Sequence, residues 1–136
     1  MKRNFFGILT TMTLSLLISV PLSAQTIARV TVPFDFTVGQ TQMSAGTYEI
    51  SPLHGAIVIR DTKAAKSVLT MVRSEWSRDN DSTTKLVFNR YGDKYFLSQI
   101  SRGFGDGVMQ LPTSKLEKEV KIAMSGESRK VVVAAK

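Results

Sequence analysis

The amino-acid sequence predicts a mainly β protein: a single antiparallel β-sandwich or small barrel of about seven to eight short strands, with one short C-terminal helix. Short segments in which apolar and polar residues alternate follow one another closely, with turn residues between them. Only one late segment has the apolar spacing of a helix. The chain contains no Cys, which excludes disulfides, thiol catalysis and Cys-bound metals. The fold therefore depends on its hydrophobic core.

The first 24 residues have the three-part pattern of a secretory signal peptide. Lys2 and Arg3 form a basic start, residues 5–20 are apolar but interrupted by Thr and Ser, and small residues precede a cleavage point after Ala24. A transmembrane helix needs about 20 apolar residues, and this run is shorter. We therefore expect export to the periplasm or the medium as a single β-rich domain, residues 25–136, without a membrane span.

Residues 28–38 are predicted to form the first strand, with one buried face. Apolar residues occupy the even positions and mostly polar residues the odd ones, which is the period of a strand. Pro33 has no backbone N–H, so the strand should lie at an edge or carry a bulge there. We interpret the segment VPFDFTVGQTQMSAGTYEI, residues 32–50, as the first corner of a sheet rather than a site, with Asp35 pointing outward.

The strands that follow are short, and turn residues separate them. Residues 74–84 are expected to form an exposed loop, and the Gly-rich residues 102–112 a flexible connection. The last strand is apolar over most of its length, so we expect it to be well covered. The predicted strands after the first are residues 47–51, 56–60, 67–73, 85–89, 94–100 and 129–135.

The segment KLVFNRYGDKYFLSQI contains the clearest hairpin signal, two strands joined by turn residues 90–93. Burial selects a register that keeps the apolar side chains together, because a slip of one residue would scatter them between the two faces. Phe88 and Leu97 are then buried on one face. The expected cross-strand pairs are Asn89 with Lys94, Phe88 with Tyr95, Val87 with Phe96, and Leu86 with Leu97.

A helix is predicted over residues 114–125. Ser114 and Glu117 fit a capping box, in which Ser114 closes the start of the helix and Glu117 reaches back to it. Gly126 is expected to end the helix. The apolar residues that fall on one helical face are Leu116, Val120, Ala123 and Met124.

His54 is the only histidine of the chain, and it lies in a turn between Pro52 and Gly55. No nucleophile or metal ligand stands near it in a known catalytic spacing. We therefore interpret His54 as a solvated turn residue. The sequence predicts no catalytic residue, no cofactor-binding residue and no metal ligand.

Two short segments are candidates for surface binding. Glu75 and Trp76 lie in the predicted loop, where an exposed Trp beside a carboxylate can bind a sugar ring, although a lone Trp at the root of a loop is more often a lid on the core. Arg90, Tyr91 and Lys94 lie at the end of the hairpin, where basic side chains attract anionic glycans or lipid headgroups. Nucleic acid is disfavoured as a partner, because an exported protein meets little of it.

The motifs VPFDFTVG, SAGTYEI, KLVFNRYGDKYFLSQI and LPTSKLEKEV together resemble a group of small exported bacterial β-rich proteins of unknown function. That group shares VPFDF-x-VG, an L-PAGTY-like segment, LVF-x-RYG-x-YFL and a basic-acidic helix near the end. This sequence has Met43 and Ser44 where the group more often has Leu-Pro. The resemblance covers nearly all of the mature chain and implies export and a β-rich domain, and it supplies no catalytic residues.

The expected function is that of an exported, non-enzymatic β-domain that binds a cell-envelope component, either a glycan or a lipid headgroup, or a partner protein. The alternative is a hydrolase acting on envelope polymers. A hydrolase would need clustered carboxylates or a constellation around the histidine. The residues that would have to converge are Asp35, Glu49, His54, Glu75 and Asp106.

Overall fold

The computed structural model describes residues 25–77, 81–103 and 107–135. The predicted signal peptide, residues 1–24, lies outside the described residues. In chain order the elements are β1 (Ala28–Val32), β2 (Phe36–Val38), β3 (Thr41–Met43), β4 (Gly46–Leu53), β5 (Ala56–Asp61), β6 (Ser67–Met71), β7 (Arg73–Glu75), β8 (Lys85–Tyr91), β9 (Lys94–Ser101), β10 (Val108–Gln110), α1 (Lys115–Ala123) and β11 (Arg129–Ala134).

The strands form two sheets around one core, which confirms the predicted mainly β sandwich with a single short helix. The small sheet has four strands in the order β1-β4-β5-β6. The large sheet has seven, in the order β11-β8-β9-β10-β7, with β2 beside β9 and β3 beside β2. All pairings are antiparallel except one, where Thr37 of β2 pairs in parallel with Phe96 of β9. The strands outnumber the prediction for two reasons. The predicted first strand is two strands, and three strands of three residues each, β3, β7 and β10, were not predicted.

The predicted first strand is in fact two strands that belong to different sheets. The chain leaves the small sheet after β1, bends through residues 33–35 and enters the large sheet as β2. Pro33 cannot donate to a ladder, which is why the first strand ends there. The Asp35 carboxylate accepts a hydrogen bond of 2.8 Å from the Ala45 N–H and ties this bend to the turn before β4. The corner thus lies at residues 33–35, inside the longer segment 32–50 that was interpreted as the first corner of a sheet. The alternation of buried side chains continues through it.

The hairpin of β8 and β9 has a different register from the predicted one. Its turn consists of Gly92 and Asp93 alone, and Gly92 has a positive φ of 61°, as tight hairpin turns require. The turn is two residues shorter than expected, so Phe88 and Asn89 pair two positions further along β9 than predicted. The observed pairs at this end are Tyr91 with Lys94, Arg90 with Tyr95, Asn89 with Phe96, and Phe88 with Leu97.

A shift of two residues leaves every side chain on its original face. Phe88 and Leu97 are consequently buried on one face, as expected. A local irregularity between Val87 and Phe88 then brings Val87 opposite Gln99. The predicted burial is thus confirmed, whereas the predicted pairing is wrong.

Helix α1 lies on the outer face of the large sheet, and Ser114 caps its start. The Ser114 hydroxyl accepts a hydrogen bond of 3.1 Å from the Glu117 N–H, which confirms the predicted cap. The buried face was predicted incorrectly, because Leu116 and Ala123 are exposed and the buried residues are Glu117 and Val120. The Glu117 carboxylate turns toward the sheet instead of reaching back to Ser114.

The final strand, β11, is an edge strand and is not well covered, contrary to expectation. Of the described strands, only β8 pairs with it, and Val132 is more than half exposed. Val131 and Val133 are only partly buried against the core. One face of β11 therefore packs on the core, through Val131 and Val133, and the other face, with Val132, is exposed.

An aromatic cluster joins the two sheets at the corner. The Phe88 ring meets Phe34 edge-on at a centroid distance of 5.1 Å and Phe36 at 5.3 Å. Phe36 in turn meets the Tyr48 ring of the small sheet at 5.1 Å. Edge-to-face pairs of this kind add to the stability that burial provides.

We predict that Phe88→Ala lowers the free energy of unfolding by about 3–5 kcal/mol, because it deletes a fully buried ring from the centre of this cluster. Urea denaturation of the purified protein measures the change. Ile122→Ala, an exposed apolar position, serves as the control and should change stability by less than about 0.5 kcal/mol. A loss below about 1 kcal/mol for Phe88→Ala would show that this ring is not at the centre of the core.

Candidate functional site

A buried carboxylate fixes helix α1 to the large sheet. Glu117 is 4% exposed, and its Oε1 accepts hydrogen bonds from the Asn89 amide at 2.9 Å and from the Tyr91 hydroxyl at 3.2 Å. Both donors come from β8, on the face opposite to Phe88. A buried carboxylate is stable only when such donors satisfy it, so this contact determines where the helix lies.

Tyr91 belongs to this anchor and is not a surface residue. Sequence analysis placed it among the surface-binding candidates, but its side chain is 3% exposed and contacts Phe96 and Val120. Burial raises the pKa of Tyr91, and the negative charge of Glu117 raises it further. The error arose because the predicted hairpin ended at Asn89, which left Tyr91 in a turn.

Arg90 is held at the end of β8 by two contacts on the core side of the sheet. Its Nε donates a hydrogen bond of 2.6 Å to the Gly92 carbonyl, and its guanidinium lies 5.4 Å from the centre of the Tyr95 ring. Tyr95 itself is stacked on Phe34 at 3.9 Å. A cation over an aromatic face is attracted by the ring, so the core supports the position of this guanidinium.

Arg129 of β11 lies directly opposite Arg90 in the strand ladder. Two cations that face each other across neighbouring strands repel and are destabilising unless something neutralises them. Within the ranges that the structure describes, neither guanidinium forms an ion pair. We call these two residues the arginine pair.

The arginine pair borders an open depression of about 590 Å³, which we call the arginine cleft. The hairpin turn forms one wall, and the connection from α1 to β11 forms the other. Glu127 is the one carboxylate among the lining residues that the structure describes. The cleft is lined by Arg90, Gly92, Met124, Glu127, Ser128 and Arg129. Guanidinium groups present planar donors that match the oxygens of phosphates and carboxylates, so the cleft suits an anionic group.

The five predicted surface-binding residues do not form one site. Glu75 lies in the same cross-strand row as Lys85, at the start of β8, whereas Arg90 lies near its end. A strand of seven residues separates the two ends by about 20 Å. Trp76 is 81% exposed, so the interpretation of this ring as a lid on the core is wrong.

Lys94 is exposed and lies on the other side of the hairpin from Arg129. It borders a second groove of about 410 Å³, beneath the start of α1, together with Asp35 and Asp93. The two carboxylates beside Lys94 offset its charge, which makes this groove less suited to an anion than the arginine cleft.

Arg129, which pairs with Arg90, was not among the residues predicted from the sequence. In the sequence, Arg129 and Lys130 are only the polar first residues of the predicted last strand. Their position became informative only once β11 was known to pair with β8 in this register, a contact between distant parts of the chain.

The residues that a hydrolase would require lie apart. Asp35 is at the corner, Glu49 forms an ion pair with its neighbour on β1, His54 is exposed in the turn after β4, and Glu75 is exposed on β7. Asp106 lies outside the described residues. Among the residues that the structure describes, no group of three or more His, Asp and Glu side chains could hold a metal ion.

Known proteins supply no parallel for the arginine cleft, so its interpretation depends on its geometry. No family model matches the chain, and no curated protein or solved structure matches it either. In the described part of the chain, no helix has the length and apolar character needed to cross a membrane.

We predict that Glu117→Ala lowers the free energy of unfolding by about 1–3 kcal/mol, because the Asn89 and Tyr91 donors lose their common acceptor in a buried place. Glu117→Gln keeps one carbonyl oxygen and should cost less. Denaturant unfolding of both variants measures this, with Glu119→Ala, exposed on the same helix, as the control. Equal losses for Glu117→Ala and Glu119→Ala would contradict the anchoring role.

A second prediction concerns alkaline pH. The folded protein holds the Tyr91 proton more tightly than the unfolded chain, because the pKa is raised from 10.0 only in the folded state. This difference stabilises the folded protein. The stabilisation is fully present below pH 10.0, the ordinary tyrosine pKa, and is lost as the pH rises through the raised pKa of the folded state. Burial also raises the pKa of Tyr48, so the test compares the parent with Tyr91→Phe. The free energy of unfolding should fall less steeply above pH 10 in Tyr91→Phe, and equal slopes would refute the contribution of Tyr91.

Proposed function

We propose that the protein is an exported, non-enzymatic β-domain that binds an anionic component of the cell envelope at the arginine pair. The observation that carries the proposal is that Arg90 and Arg129 face each other across β8 and β11 without an ion-pair partner among the described residues. An anion between them would replace repulsion by attraction to both guanidiniums. Export is proposed on the pattern of residues 1–24.

The contacts that restrain Arg90 support a role for its guanidinium in binding an anion. Its hydrogen bond to the Gly92 carbonyl and its place over the Tyr95 ring restrict the side chain before any ligand arrives. A side chain that is already ordered loses less conformational freedom on binding, so more of the interaction energy contributes to affinity. The remaining guanidinium nitrogens are left to meet a ligand.

The charge of the whole protein supports the same class of ligand. The full sequence has a net charge of +7, and loss of Lys2 and Arg3 with the predicted signal peptide leaves +5, which raises the local concentration of anionic polymers and surfaces around the protein. Phosphate and carboxylate groups are the shared chemistry of anionic glycans and anionic lipid headgroups. Long-range attraction alone does not define a site, and the arginine pair is what would make the binding local.

The hydrolase alternative has weaker support. Hydrolysis of a glycosidic bond normally uses two carboxylates placed about 5–10 Å apart. The described candidates lie at a corner, on two different strands and in a turn, and each of Asp35 and Glu49 already has a structural partner. A domain that binds a polymer without cleaving it needs no such pair.

We predict that the double variant Arg90→Ala, Arg129→Ala binds a poly(glycerol phosphate) polymer at least about tenfold more weakly than the parent, since two charge-assisted contacts are lost. Isothermal titration calorimetry at fixed ionic strength measures the affinity. The matched control is Lys115→Ala, Lys118→Ala, which removes the same charge from exposed positions of α1 and should weaken binding by less than about threefold. Circular dichroism melts establish that both variants are folded.

Two further ligands identify the source of the anion. Polygalacturonate presents carboxylates instead of phosphates, and vesicles with and without phosphatidylglycerol present the anionic group on a membrane. An equal loss of affinity in both double variants would mean that net charge, not the arginine pair, causes binding. Failure of the parent to bind any of these anionic probes would refute the proposed function.

A further inference from the structure

Strand β6 is an open edge of the small sheet. Among the strands that the structure describes, it pairs with β5 alone. At its two ends the Asp61 N–H donates to the Lys66 carbonyl at 2.9 Å and the Val72 N–H donates to the Gly55 carbonyl at 3.0 Å. Hydrogen-bonded pairs alternate along an antiparallel ladder, so Val68 and Thr70 also bond to β5. The backbone groups of Ser67, Leu69 and Met71 therefore point away from the sheet.

The side chains of this edge are apolar and exposed. Leu69 is 59% exposed and Met71 is 65% exposed. Leu69 pairs with Val58 of β5, and Met71 pairs with Ala56 of β5. Ala56 in turn pairs with Leu53 of β4. We call Leu53, Ala56, Val58, Leu69 and Met71 the apolar stripe. It lies on the outer face of the small sheet, and the one helix of the described residues, α1, packs on the large sheet instead.

The other described edges carry features that discourage pairing, and β6 does not. Proteins protect free edges with charges, proline or very short strands. Strand β1 is followed by Pro33, β3 and β7 have only three residues each, and β11 begins with Arg129 and Lys130. Strand β6, with the sequence SVLTM, has five residues and no charge.

We propose that β6 pairs with β6 of a second copy of this chain, antiparallel and centred on Leu69, so that the two small sheets become one continuous sheet. The outward-facing positions are symmetric about Leu69, as a two-fold interface requires. Leu69 then lies opposite Leu69 of the second copy, and Ser67 lies opposite Met71. The apolar stripes of the two copies meet along the new ladder.

Charge is compatible with a second copy in this register. Both copies are positively charged, but the paired segment is neutral. Lys66, which precedes the strand, donates to the Gln42 carbonyl of its own chain and lies opposite Val72 of the second copy rather than opposite another lysine. A five-residue strand pair is smaller than a standard interface, so we expect a reversible dimer that forms with increasing concentration.

A single cysteine tests the register directly, because the chain has none of its own. Directly opposed residues whose backbone groups bond to each other have Cα atoms about 5.5 Å apart, which lies within the reach of a disulfide. Leu69→Cys should therefore be converted largely to a covalent dimer by mild oxidation. The matched control is Val132→Cys, an exposed position on the edge strand of the large sheet. Equal or faster cross-linking of Val132→Cys would overturn the proposal.

Sedimentation equilibrium of the parent provides the second measurement. The parent should dimerise between about 1 μM and 1 mM, Leu69→Lys should remain monomeric because two like charges would face each other, and Val132→Lys should dimerise as the parent does. Both substitutions lie at exposed positions, and circular dichroism verifies their folding. A parent that remains monomeric throughout this range overturns the proposal. Loss of the dimer in Val132→Lys would also overturn it, as would a dimer that still forms in Leu69→Lys. The test is independent of anion binding, because the arginine pair lies on the other sheet.

Discussion

The packing of Phe34 and Phe36 against Phe88 is the interaction on which the rest of the structure depends. The chain has no Cys, so apolar packing must connect the two sheets. Phe34 and Phe36 come from the corner where the chain passes from one sheet to the other, and Phe88 comes from the central hairpin. Phe34 also stacks on Tyr95, the ring beneath the Arg90 guanidinium. The same cluster therefore stabilises the fold and supports the candidate site.

The side chains of β8 alternate between two faces, so the strand contacts the core on one face and helix α1 on the other. Phe88 and Arg90 project to the core side, where the strand extends beyond the packed interior and Arg90 reaches solvent. Asn89 and Tyr91 project to the other side, where they bind the Glu117 carboxylate and fix α1. The position of α1 then sets the path of the connection to β11, which brings Arg129 opposite Arg90. A buried anchor on one face thus determines the geometry of a charged cleft on the other.

Local patterns in the sequence were sufficient for the fold class and the Ser114 cap, because each depends on residues close together in the chain. They did not show that the chain changes sheets at residues 33–35, because the apolar alternation continues from β1 into β2. The hairpin register was wrong by two positions, since burial alone cannot distinguish registers that keep the same faces. The helix face was wrong because the Glu117 side chain was assigned to the capping box, whereas β8 supplies buried donors for its carboxylate. The arginine pair could not be predicted at all, because it depends on pairing between strands that are distant in sequence.

The most direct test of the arginine pair is a ¹H–¹⁵N NMR titration of the parent protein with inorganic phosphate, at an ionic strength held constant with sodium chloride. If the arginine cleft binds anions, the largest chemical-shift changes will occur at the Arg90 Nε and at the backbone amides of Gly92, Ser128 and Arg129, which line it. Changes should be small at Lys115 and Lys118 on the exposed face of α1. Shifts spread evenly over the exposed cations, or centred away from the cleft, would contradict a defined anion site at the arginine pair.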